Sequence, residues 1–184
     1  MLAAFRIFSQ RHKEALLVTA WHCPWQGLAR GVDTSGLAGP VRFPPDGSLD
    51  VTGWATENGI EAGQILDLGA VPNREMPSVL REMDVAVFPN RCEGGTNLVA
   101  MECMPCGLPV ILSRNTGHLD LTSPENCFPL DHQTPLDGYR AGVGTVPGWG
   151  ESNVREVVEN WNAYMPIARK PAVVASSRPK AWPI

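Results

Sequence analysis

The sequence lacks the features that mark integral membrane proteins and nucleic-acid-binding proteins. Its 184 residues contain no apolar run approaching the roughly 20 residues that a membrane-spanning helix needs. Lysine and arginine number 15 against 19 aspartates and glutamates, so the net charge is −4 and no basic field exists to attract a polyphosphate backbone. We therefore expect no integral membrane segment and no nucleic-acid partner.

Signals of secretion are also lacking. The five cysteines are an odd number, which disfavours a disulfide framework. Residues 1–15 have neither the continuous apolar core nor the cleavage site of a secretory signal, so we expect a cytoplasmic protein. The Cys103-x-x-Cys106 pair permits a zinc or redox interpretation. Zinc needs two further ligands, however, so burial as small hydrophobic side chains is favoured and no metal site is predicted.

The length fits one domain with a sizeable core and is short for two domains with a cleft between them. Apolar runs typical of buried strands occur at 15–20, 64–69, 84–88 and 109–112. Helical patterns lie before and between them, and a last helix is predicted from about Asn153 to Tyr164. This alternation predicts an α/β fold with a mainly parallel sheet. The glycine- and proline-rich stretch at 21–50 is predicted to be a loop or an insertion.

One segment carries the residues expected of a binding site. The strand at 84–88 leads into a loop with Glu93 and paired glycines, and the loop leads into a helix with Glu102. Ligands of open α/β sheets bind at the carboxyl ends of strands, where this loop lies. Glycines allow a ligand close to the backbone, and the amides of residues 95–97 at the helix start favour a phosphate. Glutamates accept hydrogen bonds from sugar hydroxyls. The alternative is that neither glutamate binds a ligand: one would be an acid that interacts with the helix dipole at the helix start, and the other a solvated side chain.

This segment and the Cys106-Gly-Leu-Pro-Val-Ile111 sequence after it resemble the motif of retaining family 4 glycosyltransferases of the GT-B fold. The resemblance extends from about Leu2 to about Tyr164. It implies the Rossmann-like, donor-binding half of that fold, a doubly wound and mainly parallel sheet. Residues 1–168 would form a partial nucleotide-sugar-binding domain, followed by a proline-containing tail at 169–184.

The resemblance also implies roles for individual residues. Glu102 matches the glutamate that holds the donor's ribose, and Glu93 matches the one that contacts the transferred sugar. His118 lies in a loop that borders the donor in the family. The remaining donor-binding positions belong to the glycine turn and to the base-contacting loop: Gly94, Gly95, Thr96, Asn97, Val71 and Pro72.

Two departures from the family pattern affect these assignments. Eight residues separate Glu93 from Glu102 where the family has seven, so the loop is expected to bulge. The family's domain opens with a strand and a basic residue that neutralises the leaving diphosphate, and neither precedes the matching helix here. Arg91 and Arg114 are the basic residues near the predicted site, and either could replace the missing one. Arg91 is predicted to be catalytic together with Glu93. A solvated arginine is the alternative.

In the family's sheet the first strand lies between those at 15–20 and 84–88. Without it, backbone groups of both strands would lack partners, which is costly. Three hypotheses follow: residues 172–176 insert there, the two strands pair directly, or a partner chain supplies the strand.

The resemblance implies a donor domain that binds a nucleotide diphosphate sugar, with no other cofactor, for retaining glycosyl transfer. Because the family binds its acceptor between two domains, the isolated chain is expected to be incomplete as an enzyme, and a partner chain would supply the acceptor domain. The alternative is a non-catalytic nucleotide-sugar-binding or protein-interaction domain.

Overall fold

The computed structural model describes residues 1–21, 26–123, 125–136 and 147–168. The helices of these residues are α1 (Leu2–Arg11), α2 (Gln26–Ala29), α3 (Val51–Glu57), α4 (Met76–Arg81), α5 (Leu98–Cys103) and α6 (Val154–Ala168). Short 3-10 helices lie at Arg30–Ser35, Ala62–Gln64, Met104–Cys106 and Thr116–Asp120. The strands are β1 (Leu17–Thr19), β2 (Ile65–Asp67), β3 (Ala86–Phe88), β4 (Val110–Ser113), β5 (Phe128–Leu130), β6 (Gln133–Pro135) and β7 (Gly150–Ser152).

The strands pair in three groups. β1 and β2 form one parallel sheet, β3, β4 and β5 form a second parallel sheet in that order, and β6 pairs with β7 antiparallel. The predicted α/β class with parallel pairing is confirmed. Within the described residues the strands form separate sheets, so a single doubly wound sheet stays a prediction.

The strand pairing tests the hypothesis that the strands at 15–20 and 84–88 pair directly. β1 pairs with β2 and β3 pairs with β4, and no ladder joins β1 to β3 among the described residues. The hypothesis that these two strands pair directly is therefore wrong. The other two remain, since a partner chain is not tested and residues 172–176 lie outside the described residues.

The core has two parts, on either side of the larger sheet. One joins α1 and α6, where the Trp161 ring contacts Phe5 edge-on at 6.0 Å and Phe8 at 5.2 Å. The other joins α5 to β4 through Ala100, Cys103 and neighbouring apolar residues. β4 is the central strand of its sheet and is buried along its whole length. None of the helices in the described ranges is both long and apolar enough to cross a lipid bilayer.

Several element ends follow the predicted turn chemistry, and one region does not. Gly59, Gly69 and Gly107 have positive φ where a helix or strand ends, a conformation that glycine adopts without steric cost. The stretch 21–50, predicted to be a loop or an insertion, contains α2 and the 3-10 helix at Arg30–Ser35. These helices are too short to give a readable hydrophobic period.

Candidate functional site

A turn at residues 93–97 joins β3 to α5 at the carboxyl end of the larger parallel sheet. We call it the Glu93 turn. Its last residue, Asn97, begins the helix: the Asn97 side-chain oxygen accepts a hydrogen bond from the Ala100 amide at 3.0 Å. Asparagine is among the best residues for this capping position, because its side chain satisfies an amide that the helix leaves unpaired.

A buried hydrogen-bond chain holds the turn from behind. The Asn97 side-chain nitrogen lies 2.9 Å from His118 Nε2, and His118 Nδ1 lies 3.1 Å from the Ser113 carbonyl oxygen. A carbonyl can only accept, so Nδ1 carries the proton and Nε2 accepts from Asn97. The Ser113 hydroxyl in turn donates to the Asn90 carbonyl at 2.8 Å. These hydrogen bonds thus connect the ends of β3 and β4 to the start of α5.

This arrangement requires a neutral histidine. His118 has 0% of its surface exposed. Burial lowers the pKa of His118 from its usual value, against smaller opposing effects of the Ser113 carbonyl and Glu93. His118 therefore accepts from Asn97 at neutral pH, whereas protonation would place an N–H against the Asn97 amide.

The sequence-based expectation that His118 contacts the donor does not fit this position. The side chain is sealed behind the turn, so it positions Asn97 rather than facing the open surface.

Glu93 is held at both its main chain and its side chain. Its amide donates to Thr116 Oγ1 at 2.7 Å, and its carbonyl accepts from the Gly117 amide at 3.2 Å. The Asn90 side chain donates to the Glu93 carboxylate at 3.3 Å. Thr116 has a φ of 40°, an unusual value for a residue with a side chain. These contacts fix the turn against the loop that follows β4.

Gly117 allows the two loops to approach closely. A Cβ atom at this position would lie 1.6 Å from the Gly95 carbonyl oxygen and 3.0 Å from the Glu93 carbonyl oxygen. No side chain fits between these backbones. Gly94, Gly95 and Thr96 lie on the outer side of the turn and are exposed. The Glu93 turn therefore has a fixed inner side and an open outer side.

Arg91 lies beside the turn in an ion pair. Its Nε is 2.6 Å from Glu151 Oε2, and its Nη1 donates to the Gly31 carbonyl at 3.1 Å. The side chains of Arg91 and Glu151 are 17% and 26% exposed, so the pair is largely shielded from water. Arg114, the other basic candidate, pairs with Asp131 at 3.0 Å on the exposed surface.

Two adjoining cavities open next to these residues. The first, of about 580 Å³, is lined by apolar residues and by Asn90 and the Arg91–Glu151 pair. We call it the tryptophan cavity, since Trp21, Trp54 and Trp149 contribute to its wall. The second, of about 750 Å³, is lined by β1, β3 and parts of the Glu93 turn, including Glu93 and Asn97.

The structure does not bring all the predicted donor-binding residues together. Glu93 lines the second cavity, but Glu102 is exposed on α5 and lines neither cavity. Val71 is half-buried and Pro72 is exposed in the loop after β2, and they line neither cavity. The predicted donor-binding residues therefore form two groups. Those of the Glu93 turn are held by hydrogen bonds, whereas Glu102, Val71 and Pro72 lie elsewhere, outside both cavities.

Sequence reasoning missed Glu151 and the wall of tryptophans. Glu151 lies 60 residues from Arg91 in sequence, on β7, and no local pattern connects the two. The tryptophans were visible in the sequence but have no fixed spacing.

The cysteines of the described residues are all free thiols: Cys92, Cys103, Cys106 and Cys127. Cys103 is buried on α5, and burial raises its pKa to about 11. Cys106 is half-buried. Within the described ranges no three histidine, cysteine or acidic side chains converge as a metal-binding group.

One known family is similar to part of the chain. No curated protein matches it significantly. The family model of group 1 glycosyl transferases matches residues 46–132, which are 87 of the 184 residues. The match includes β2 to β5, the Glu93 turn and the buried chain behind it. Residues 46–132 are therefore similar to a glycosyltransferase group 1 domain, a family whose name describes glycosyl transfer.

Proposed function

We propose that this chain is the donor-binding part of a GT-B glycosyltransferase, which binds a nucleotide diphosphate sugar for retaining transfer to an acceptor. The observation that carries the proposal is the Glu93 turn, which lies inside the family match. A buried bond to His118 and a partly buried bond to Thr116 hold it with its outer side open. A turn fixed in advance loses little entropy when it binds a ligand.

The proposed roles follow from the chemistry of each group. The Glu93 carboxylate accepts hydrogen bonds from hydroxyls of the transferred sugar. The exposed backbone at Gly94, Gly95 and Thr96 allows close approach of the sugar and the diphosphate. Arg91 supplies the nearby positive charge that a departing diphosphate requires, and Glu151 holds its guanidinium in place.

The nucleotide would extend away from this turn along the surface. We propose that Glu102 accepts from the ribose and that the loop at Val71 and Pro72 contacts the base. Since these residues lie outside both cavities, the ligand would cover the outer surface of α5 rather than enter the core.

Donor binding without transfer is the second candidate function. The observation that favours it is the Arg91–Glu151 pair, because a carboxylate at 2.6 Å offsets the charge that leaving-group stabilisation requires. The two candidates are compatible if a partner chain supplies the acceptor-binding domain: this chain would then bind the donor alone and take part in transfer only with the partner.

Isothermal titration calorimetry with UDP-, GDP- and ADP-linked hexoses tests the proposal. We expect one donor class to bind, and the E93Q variant to bind it about tenfold more weakly, since a neutral amide oxygen replaces the charged carboxylate as the hydrogen-bond acceptor. The matched control is E159Q, a neutralised glutamate on the exposed side of α6. No heat with any donor, or equal affinity in E93Q and the wild type, would contradict the proposal.

An assay of product formation separates the two candidates. Transfer of the sugar to an acceptor by the chain on its own would rule out the second candidate. Binding without turnover would favour it.

A further inference from the structure

The second cavity lies between the edges of the two parallel sheets. Residues of β1 line one side of it and residues of β3 line the other, over the ranges 14–21 and 82–88. Each strand is paired on one side only within the described part of the chain: β1 with β2 and β3 with β4. We call this space the strand slot.

The backbone of both strands points hydrogen-bonding groups into the slot. The Thr19 carbonyl accepts from Leu68, so Thr19 faces β2, and its neighbour Val18 faces the opposite side. On β3, the Ala86 amide donates to the β4 side, so Val87 faces away from β4. The N–H and C=O groups of Val18 and Val87 therefore face the slot from its two sides.

The strands that border the slot are less buried than the central strand β4. All three residues of β3 are apolar, yet each is only half-buried, whereas β4, with a strand on either side, is buried throughout. Leu16, next to β1, is 49% exposed. An apolar strand of a parallel sheet is normally covered on both faces and both edges.

The two strands run in the same direction. Trp21 follows β1 and Pro89 follows β3, and both line the tryptophan cavity, so the carboxyl ends of both strands lie at the same end of the slot. The opposite end carries three acidic residues, Glu14, Glu82 and Asp84. A strand that pairs with both edges in parallel would enter at this acidic end.

Helix α6 returns the chain to that end of the slot. Trp161, at the middle of the helix, and Tyr164, four residues before its end, line the slot. The Tyr164 ring packs on Phe128, the first residue of β5, at 6.2 Å between ring centres. A helix that runs back along a sheet in this way leaves the chain ready to start another parallel strand.

We propose that residues 172–176, Ala-Val-Val-Ala-Ser, bind in the strand slot of their own chain as a strand parallel to β1 and β3. These residues follow α6 after three connecting residues, which reach about 10 Å. Five residues of strand extend about 17 Å. Arg169 and Lys170, directly before the segment, complement the acidic end of the slot.

The segment also has the composition that the slot requires. Four of its five residues are apolar and the two valines are branched at Cβ, a type that strands favour. With the segment in place, the five parallel strands of the two sheets and this sixth would form one continuous sheet. The proposal does not depend on donor binding.

Hydrogen–deuterium exchange with mass spectrometry on the monomeric 184-residue chain tests the proposal. We expect the amides of residues 173–175, Val18 and Val87 to exchange at least about tenfold more slowly than in an unstructured peptide. The V174P variant removes a donor from the strand and should increase exchange at Val18 and Val87 together. The control A181P introduces proline outside the segment and should change neither.

Each other outcome overturns the proposal. Fast exchange at residues 173–175 in the wild type excludes the segment as the occupant, and this result does not depend on any variant folding. Protection that appears only in a dimer, separated by size-exclusion chromatography, would assign the slot to a second copy. Protection of Val87 that V174P leaves unchanged would show that Val87 is covered by something other than the segment.

Discussion

Replacing Asn97 with alanine removes two interactions at once, and their energies can be measured separately. The Asn97 oxygen caps α5, and loss of such a cap costs about 1 kcal/mol. The Asn97 nitrogen donates to the buried His118 Nε2, and a buried acceptor left without a partner costs about 1–3 kcal/mol. N97A should therefore lower the free energy of unfolding by about 2–4 kcal/mol.

The chain offers a matched control for the cap alone. Asn153 accepts from the Arg155 amide at 2.9 Å at the start of α6, and its side chain is exposed. N153A should cost about 1 kcal/mol. The difference between the two variants isolates the buried bond to His118.

Urea unfolding at pH 7.5, followed by tryptophan fluorescence, measures both values. We expect N97A to be more destabilising than N153A by about 1–3 kcal/mol, with similar dependence on urea concentration. Equal losses in the two variants would refute the conclusion that His118 depends on Asn97.

The remaining predictions concern the same surroundings. Because burial lowers the folded-state pKa of His118, the unfolded chain takes up the proton first, so stability should be complete above about pH 6.5 and fall as the pH drops through the folded pKa. The urea midpoint should therefore fall with decreasing pH in the wild type, and this part of the pH dependence should be missing in H118Q. G117A places a Cβ against the Gly95 carbonyl, so it should displace the Glu93 turn and weaken donor binding in calorimetry. R91A leaves the partly buried Glu151 without this partner and should cost about 1–3 kcal/mol in urea unfolding, less than a fully buried pair.

Local sequence patterns were sufficient to predict elements such as β4 and α4. The buried apolar run at 109–112 contributes most of β4, and Gly107, which precedes this run, ends the 3-10 helix with positive φ. Met76, Val79 and Leu80 have the i, i+3, i+4 spacing of one helix face, and they lie on α4. These signals are readable because periodicity and turn preference act over a few residues.

The sequence did not predict the contacts that connect distant parts of the chain. His118 and Asn97 are 21 residues apart, and the Arg91–Glu151 pair spans 60 residues. Nothing in either local pattern identifies the partner. The strands β5 to β7 have three residues each, too few to show an alternation, and two of them contain proline.

The position of the Glu93 turn was predictable, and its supports were not. A strand, a glycine pair and a helix start in succession are visible in the sequence. Thr116 with its positive φ and Gly117 with no room for a Cβ come from the loop after β4, and their role emerges only when the two loops are in contact.

An NMR titration of the isotopically labelled protein with the nucleotide diphosphate sugar shows whether the Glu93 turn binds the donor. We expect the largest amide shifts at Gly94, Gly95 and Thr96, saturation of these shifts with donor concentration, and smaller shifts with a nucleoside diphosphate that lacks the sugar. Saturating shifts confined to other parts of the chain, or no shifts with any donor, would contradict donor binding by the Glu93 turn.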